Sequence, residues 1–347
     1  IPAVYSNGLI APGRWGQNPL LLDRRGYNKQ KDTPIYTTLT ASYSIPWVEG
    51  LKIEGSFNYD LTNQFSKLFE LPYTYHELNV NTGEYELRNG QGQDSVQLTD
   101  TYRRSTNMVY NLRLSYDRRF GYHHVAAMVG QEQQQYESSY VTAYRKNFVS
   151  PAIDQLNVGS DAAEDKNNSG SASESARNDY FGRFNYDYAS KYLLELIFRY
   201  DGSQNFPPET RYGFFPAASF GWRISEEPFI KDNLPFVDNL KLRFSAGKTG
   251  NDRVAGFQYL QSYSFGYDYV FGNSDAPGVY PNTLPNNLIT WEKSTKYDLG
   301  LDFDLWKGKL SSEITVFKEN RNDILTSRNL SIPNTLGFPG LPDENIG

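Results

Sequence analysis

The amino-acid sequence predicts an all-β fold: a transmembrane antiparallel β-barrel, with about ten strands in this chain. Three observations support this prediction. Apolar and polar residues alternate with a period of two, aromatic residues mark the ends of the apolar faces, and short connections alternate with long ones. The 347 residues include 27 Tyr, 21 Phe and 5 Trp, yet the mean hydropathy is only −0.63. A membrane barrel has this property because only one face of each strand meets lipid.

The clearest alternation runs from Tyr180 to Tyr200. A turn at 189–191 pairs position 188 with 192 and position 180 with 200. One face of the resulting hairpin is then uncharged and carries tyrosine at both ends. A slip of one residue would move Glu195 and Arg199 onto that face, so the residue pattern predicts a single register.

The length of this hairpin suits an outer-membrane barrel. Eight rises of about 3.3 Å give roughly 26 Å, or about 20 Å at a tilt near 40°, against an apolar band of about 25 Å. The pairing places Gly182 opposite Phe198, whose ring can cover the bare backbone. We expect the uncharged face to meet lipid through Phe184, Tyr186, Leu194, Leu196 and Phe198.

Eight further runs alternate in the same way and complete the ten strands. They cover residues 35–45, 51–59, 108–117, 123–136, 214–224, 240–246, 297–305 and 310–316. Connections at 46–50, 118–122, 189–191, 225–239 and 307–308 are short or moderate, whereas those at about 61–100, 146–177, 202–211, 251–293 and from 320 onward are mostly long. Barrels of this kind have short periplasmic turns and long outer loops, which places the 189–191 turn in the periplasm.

Three segments are predicted to lack strands. Residues 1–34 and 333–347 are rich in Gly, Pro and Asn, which is typical of loops. The segment at about 156–178 has low complexity and is predicted to be a flexible extracellular loop.

Composition and motifs argue against several classes of protein. The chain has no cysteine, which excludes disulfides, thiolate metal sites and cysteine catalysis. A net charge of −6 and a pI near 5.3 argue against nucleic acid as a partner. His76, His123 and His124 lack the spacing of a metal site. No catalytic motif is present, so we expect no enzyme activity, no catalytic residue, no metal and no cofactor.

Two groups of residues are candidates for function. Aromatic rings in the long outer connections can stack on sugars or anchor a partner, although an aromatic girdle and packing within the loops are the simpler explanation of such rings. The candidates are Tyr73, Tyr75, Tyr259, Tyr263, Tyr267, Tyr269 and Tyr280. Charged residues on the inner face are expected to face the lumen, where they pair with one another or contact cargo: Arg183, Glu195, Arg199, Arg243 and Asp298.

Five segments resemble the SusC/RagA family of TonB-dependent outer-membrane transporters of Bacteroidetes: residues 45–60, 186–206, 220–229, 240–252 and 290–325. The Trp222-Arg223 and Trp291-Glu292-Lys293 blocks are the most specific. The resemblance implies a 22-stranded barrel that is closed by an N-terminal plug. It also implies a SusD-like surface lipoprotein that covers the barrel and captures glycans or peptides.

Two functional hypotheses follow. In the first, residues 1–347 are a partial barrel domain without the plug, in the bacterial outer membrane, and belong to a multi-pass importer of oligosaccharides or peptides. Its partners would be a SusD-like lipoprotein, outer-membrane lipid and the TonB complex, which would act through a plug that this chain does not contain. In the alternative, the chain is a soluble or surface-attached all-β protein that binds glycans through its tyrosines.

Overall fold

The computed structural model describes residues 3–13, 18–90, 94–327, 335, 337–338 and 340–347. Within these residues nearly all regular structure is β. The strands in chain order are β1 (Gly26–Ser44), β2 (Leu51–Glu70), β3 (Thr74–Leu78), β4 (Tyr85–Asn89), β5 (Gln97–Phe120), β6 (His123–Lys146), β7 (Lys166–Tyr188), β8 (Tyr192–Ser203), β9 (Tyr212–Arg223), β10 (Val237–Asn251), β11 (Tyr263–Phe265), β12 (Tyr269–Phe271), β13 (Ser274–Ala276), β14 (Val279–Pro281), β15 (Glu292–Leu305), β16 (Leu310–Asn322), β17 (Ile324–Ser327) and β18 (Asp343–Ile346).

Ten of these strands form one sheet in the order β1-β2-β5-β6-β7-β8-β9-β10-β15-β16. Each of the ten predicted runs matches one of them, with Ile45 and Ile224 one residue beyond the end of β1 and β9, so the predicted strands are confirmed. The order follows the chain because each strand pairs with the next long strand, and every pairing from β7 to β16 is antiparallel. The remaining described strands form four small pairs: β3-β4, β11-β14, β12-β13 and β17-β18.

Several strands are longer than the alternation predicts. β5 begins at Gln97, β6 continues to Lys146 and β7 begins at Lys166. Residues 166–178 of the predicted flexible loop are therefore strand, and Gly170 lies so close to β6 that a Cβ there would be 2.9 Å from the Tyr140 carbonyl oxygen. These residues are polar on both faces, so their sequence has no period-two alternation. The strand is instead maintained by pairing with the neighbouring strand β6.

The two predicted terminal loops also contain strands. β1 begins at Gly26, includes Pro34 and is the first strand in the order of the sheet. β18 lies between Asp343 and Ile346. Residues 1–2, 14–17, 333–334, 336 and 339 of these loops lie outside the described residues, as do residues 328–332 and residues 91–93 of the 61–100 connection.

The chain forms two compact units, one of residues 1–37, 58–108 and 136–174 and the other of residues 38–57, 109–135 and 175–347. In the first unit the buried apolar residues are Ala11, Leu21, Phe69, Tyr73 and Leu98. In the second unit Phe206, Phe215, Ile289 and Trp291 form a buried cluster. None of the described helices is long and apolar enough to span a membrane.

Candidate functional site

The hairpin of β7 and β8 has the predicted register. Tyr188 pairs with Tyr192, Phe184 with Leu196 and Tyr180 with Tyr200. Ala189 and Ser190 adopt positive φ in the turn, and the Lys191 amide donates to the Tyr188 carbonyl at 2.9 Å. Because alternate residues share a face, the five predicted lipid-facing residues lie together on one side: Phe184, Tyr186, Leu194, Leu196 and Phe198.

Gly182 lies opposite Phe198, as the register predicts. A Cβ at this glycine would overlap the Phe198 ring. The ring therefore covers the glycine backbone, which is the packing that the sequence predicts.

Aromatic rings border both ends of the uncharged face. At the turn end the Tyr192 ring stacks against Tyr188 and Trp222 at centroid distances of 6.3 and 6.5 Å. At the other end Tyr200 stacks on Tyr212 at 4.8 Å and lies 6.5 Å from Tyr180. This arrangement is typical of the two aromatic girdles of an outer-membrane barrel.

The opposite face, predicted to line the lumen, is a ladder of paired charges. Arg183 pairs with Glu195. Arg199 lies 2.9 Å from Asp201 and 3.5 Å from the buried Asp179. The pairing explains why these charges can lie on a sheet wall: each guanidinium has a carboxylate partner.

A second charged group lies on β10, β15 and β16. The Arg243 guanidinium is 2.8 Å from the Asp302 carboxylate and also pairs with Glu313. Asp298 accepts a hydrogen bond of 3.0 Å from the Ser245 hydroxyl. Every predicted lumen residue thus has a partner on the wall.

Glu227 organises the turn end of the second unit, a role that the sequence analysis missed. Its carboxylate accepts hydrogen bonds from the Tyr192 hydroxyl at 2.7 Å and from Trp222 Nε1 at 3.2 Å, and Lys191 Nζ lies 3.4 Å away. The hydrogen bond from Tyr192, followed by that from Trp222, lowers the pKa of Glu227. The five-residue spacing between Trp222 and Glu227 is the only signal for it in the sequence.

The connection between β10 and β15 carries most of the predicted aromatic candidates. Two small strand pairs, β11-β14 and β12-β13, extend it into a long projection. Tyr263, Tyr267 and Tyr269 are strongly exposed, and Tyr280 is half-buried. The Tyr267 ring packs edge-on against Tyr280 at 4.7 Å, whereas Tyr263 and Tyr269 lie on separate strand pairs.

The same projection also exposes two phenylalanine rings. Phe265 is 83% and Phe271 is 68% exposed, and the Phe271 ring lies 4.9 Å from Tyr269. We name the exposed apolar and aromatic residues of these two strand pairs and their connection the loop patch: Tyr263, Phe265, Tyr267, Tyr269, Val270, Phe271 and Val279. Exposed apolar surface of this kind marks interaction sites.

The base of the projection is anchored by the buried cluster. Trp291 packs against Phe206 and Phe215 at 5.3 and 5.2 Å, and its Nε1 donates to the Arg211 carbonyl at 3.0 Å. The predicted candidate Tyr259 packs against this cluster. Its position indicates a packing role, so contact with a ligand remains an untested prediction.

Tyr73 and Tyr75 lie in the first unit. Tyr73 is only 6% exposed, and the Arg25 guanidinium lies 4.7 Å above its ring. Tyr75 is half-buried on β3, opposite Arg88 on β4. The burial of Tyr73 disfavours contact with an external molecule.

A cluster in the first unit ties the 147–165 segment to its neighbours. The Tyr27 hydroxyl donates to the Asp154 carboxylate, and Lys67 Nζ donates to the Asp154 carbonyl at 2.6 Å. Burial, followed by the hydrogen bond to Asp154, raises the pKa of Tyr27 to about 12. Burial also raises the pKa of Asp100, which lies 3.9 Å from Lys67.

Acidic residues do not gather into a metal site in the part of the chain that the structure describes. No group of three or more His, Cys, Asp or Glu residues there could hold a metal ion. Asp161, for example, lies 3.0 Å from Arg145 and 2.9 Å from Lys166.

Sequence comparisons place the chain among TonB-dependent receptors. A family model described as "TonB dependent receptor-like, beta-barrel" matches residues 3–347. The TonB-dependent receptor SusC of Bacteroides thetaiotaomicron is 27% identical over 336 residues, which are 95% of this chain and 31% of that receptor. The TonB-dependent receptor P3 of Formosa agariphila is 28% identical over 313 residues, 90% of this chain and 29% of that receptor. The chain thus spans about a third of the length of these relatives or less.

Solved structures show the same fold. The RagAB peptide importer in its closed-closed state matches 99% of this chain and 36% of its own chain, with a TM-score of 0.81 and 20% identity. The open-open state gives a TM-score of 0.80, 21% identity and the same coverage. At these identities the similarity concerns the fold alone. Taken with the family match over residues 3–347, it shows that the chain belongs to the TonB-dependent receptor-like β-barrel family of the outer membrane and is similar to its SusC/RagA members.

Proposed function

We propose that this chain forms part of the wall of a SusC-like importer, which takes up oligosaccharides or peptides across the outer membrane. The observation that carries the proposal is the ten-stranded sheet, in chain order, with an uncharged face and a paired-charge face. A sheet with one apolar and one polar face is what the wall of a water-filled barrel requires. Transport rather than catalysis is the role that we propose.

The similarity to SusC and to the RagAB peptide importer supports the proposal. We infer that uptake is driven by the TonB complex and that a SusD-like lipoprotein covers the barrel. A peptide cargo is suggested by the RagAB similarity, and an oligosaccharide cargo by the exposed tyrosines, since aromatic rings stack on sugars. The alternative of a soluble glycan-binding protein is disfavoured by the family match.

The charged residues of the inner face and the loop patch would have different roles. The inner-face charges would line a water-filled lumen with polar groups: Arg183, Glu195, Arg199, Arg243 and Asp298. Their mutual pairing makes them wall-stabilising residues first and cargo contacts second. The loop patch would contact the lipoprotein, because exposed aromatic residues are enriched at protein interfaces.

An uptake assay tests the proposed activity. The gene encoding the full-length receptor is deleted, and cells are given fluorescent peptides and fluorescent oligosaccharides in separate experiments. We expect uptake of one class to be lost, to return on complementation, and to be abolished by a protonophore because TonB coupling needs the proton gradient. Unchanged uptake of both classes in the deletion strain would refute the proposal.

A copurification assay tests the proposed partner. Replacing Phe265, Tyr267 and Phe271 with serine removes three exposed rings of the loop patch. We expect less SusD-like lipoprotein to copurify with this receptor. The control is Tyr122→Ser, which removes an equally exposed ring from the turn between β5 and β6 and should have no effect.

A further inference from the structure

The connection between β10 and β15 leaves the ten-stranded sheet at one row of residues. The ladder between these two strands ends at the pair of Asn251 and Glu292. Within the connection, the described strands pair with each other and not with the sheet. Contacts other than the ladders of the sheet must therefore hold the projection, and with it the loop patch, in place.

β18 supplies such contacts at the base of the projection. Gln258, in the part of the connection that leaves β10, donates from Nε2 to the Asp343 carboxylate at 2.7 Å. The same side chain accepts a hydrogen bond of 2.8 Å from the Asp343 amide through Oε1. Both residues are half-buried. One glutamine thus binds the side chain and the main chain of one residue of β18.

The part of the connection that returns to β15 is held in the same way. Asn345 Oδ1 accepts a hydrogen bond of 2.9 Å from the Thr290 amide, and its Nδ2 donates to the Thr290 carbonyl at 2.8 Å. A residue of a neighbouring antiparallel strand would make these same two bonds. Asn345 Nδ2 also donates to the Asp323 carbonyl at 2.8 Å. The side-chain amide of Asn345 therefore takes the place of a strand partner.

Asn286 joins the two parts of the connection to each other and to β18. Its amide donates to the Gln258 carbonyl at 2.9 Å, and its Nδ2 donates to the Asp343 carbonyl at 2.8 Å. The five residues of this junction are named the clasp: Gln258, Asn286, Thr290, Asp343 and Asn345.

β18 is in turn attached to the sheet. It pairs with β17 (Ile324–Ser327), which follows β16 after the single residue Asp323. Leu325 of β17 packs against the buried cluster at the base of the projection. Lys293 Nζ on β15 lies 2.9 Å from the Asp323 carboxylate. The clasp therefore connects the projection to a strand pair that is itself fixed beside the wall.

We propose that Gln258 and Asn345 are positioning residues, which hold the projection in the orientation in which the loop patch binds the lipoprotein. The inference rests on the partner contact of the proposed function. A partner binds only the fraction of receptors whose patch is correctly placed, so a loosened base weakens binding although no contact residue is lost. Side-chain amides suit this role because each supplies a donor and an acceptor.

Hydrogen exchange and copurification on the full-length receptor test the inference. Mass spectrometry follows exchange in the peptides that contain the Thr290 and Asp343 amides. We expect Gln258→Ala and Asn345→Ala to accelerate this exchange about tenfold, because each removes hydrogen bonds of the clasp. We also expect about fivefold less SusD-like lipoprotein to copurify with either variant.

A swap of the paired groups separates positioning from a general loss of structure. Gln258→Glu places a second carboxylate beside Asp343 and should weaken both the protection from exchange and the copurification. Adding Asp343→Asn should restore both, because an amide at position 343 can donate to the new carboxylate and still accept from the Ser327 hydroxyl. No recovery in this double variant would overturn the inference.

The control for the clasp variants is Gln30→Ala, which removes a glutamine–aspartate hydrogen bond of 2.9 Å on β1. It should change neither the exchange nor the copurification, and an equal loss in it would overturn the inference. Unchanged exchange in the clasp variants would do the same, as would faster exchange with undiminished copurification.

The variant with Phe265, Tyr267 and Phe271 replaced by serine distinguishes this inference from the proposed function. Copurification that survives the loss of these rings refutes the proposed partner contact, whatever the clasp variants do. Copurification that is lost with the rings but retained in the clasp variants refutes the positioning role alone.

Discussion

At the scale of single residues, the most informative side chains are charged groups that hydrogen-bond to the aromatic residues at the ends of the uncharged face. Glu227 is the clearest case. Its carboxylate receives hydrogen bonds from Tyr192 and Trp222 and lies near Lys191, so one acid links the stacked rings to the turn. Charge-assisted hydrogen bonds are stronger than neutral ones, which explains the lowered pKa of this carboxyl group.

The first prediction concerns Glu227 and pH. Because the folded state lowers its pKa, Glu227 stabilises the fold above its ordinary pKa of about 4.3, and this stabilisation is lost as the pH falls through the lower folded value. We expect Glu227→Gln to reduce the free energy of unfolding at neutral pH and to flatten its decline at acidic pH. Urea unfolding in lipid vesicles at several pH values measures both.

Glu209→Gln is the matched control for Glu227→Gln. Glu209 is exposed in the short connection between β8 and β9, so its substitution should leave both the stability and its acid dependence unchanged. An acid dependence in Glu227→Gln that equals that of the unmodified protein would contradict the prediction.

The second prediction concerns Tyr27 at alkaline pH. Its pKa is raised to about 12, whereas an unfolded tyrosine ionises near pH 10. Its contribution to stability is therefore complete below about pH 10 and decreases as the pH rises towards 12. We expect Tyr27→Phe to weaken the alkaline decline of the unfolding free energy. Tyr36→Phe, at a ring that is 73% exposed, should preserve the decline, and identical slopes in the two variants would contradict the prediction.

At the scale of elements, the hairpin of β7 and β8 shows how a pattern determines a register. Its two faces differ so strongly that only one pairing keeps Glu195 and Arg199 away from the apolar side. The register then brings Gly182 beneath the Phe198 ring and pairs Arg183 with Glu195. Within this hairpin, the side-chain contacts are therefore those that the alternation of the two faces predicts.

The third prediction tests the contact between Gly182 and Phe198. A methyl group at position 182 would overlap the Phe198 ring, so we expect Gly182→Ala to destabilise the fold by about 1–3 kcal/mol. Combining it with Phe198→Leu should recover part of that loss. Urea unfolding of the four proteins of this double-mutant cycle measures the coupling.

Gly55→Ala is the control for the Gly182 experiment. A Cβ at Gly55 would meet its nearest heavy atoms at 3.9 Å, which is ordinary contact. A cost for Gly55→Ala similar to that for Gly182→Ala would show that the loss comes from the backbone rather than from the ring.

At the scale of the whole molecule, the ten strands form a sheet whose first and last members are β1 and β16. Family membership implies a closed barrel, since an open sheet edge is not stable in hydrocarbon. In such a barrel, adjacent residues of one strand alternate between the lipid face and the lumen face. The face on which a residue lies therefore decides how much a charged substitution destabilises the fold.

The fourth prediction uses this alternation. Leu196 and Ile197 are adjacent on β8 and are 43% and 37% exposed, on opposite faces. We expect Leu196→Arg to cost about 2–4 kcal/mol in a bilayer, and Ile197→Arg to cost clearly less because its charge would lie in the lumen. Unfolding in lipid vesicles measures both. Equal costs, or a larger cost for Ile197→Arg, would refute the proposed facing.

The sequence by itself determined the membrane-type strands of this protein. Period-two alternation, girdle tyrosines and the order of connections predicted ten strands and one register. The SusC/RagA resemblance rested instead on sequence blocks such as Trp222-Arg223 and Trp291-Glu292-Lys293. This succeeded because an apolar face must be continuous along each strand and across its partners, so every second residue is constrained. The polar extension of β7 over residues 166–178 has no such face, and composition there predicted a loop.

Only the tertiary structure decided the remaining features. Trp291 packs against Phe206 and Phe215, and Glu227 accepts hydrogen bonds from Tyr192 and Trp222. These contacts join residues that a local pattern does not relate, since they depend on which strands are neighbours and where a ladder ends. The alternation reveals which face a residue occupies, whereas the register of several strands decides what it touches there.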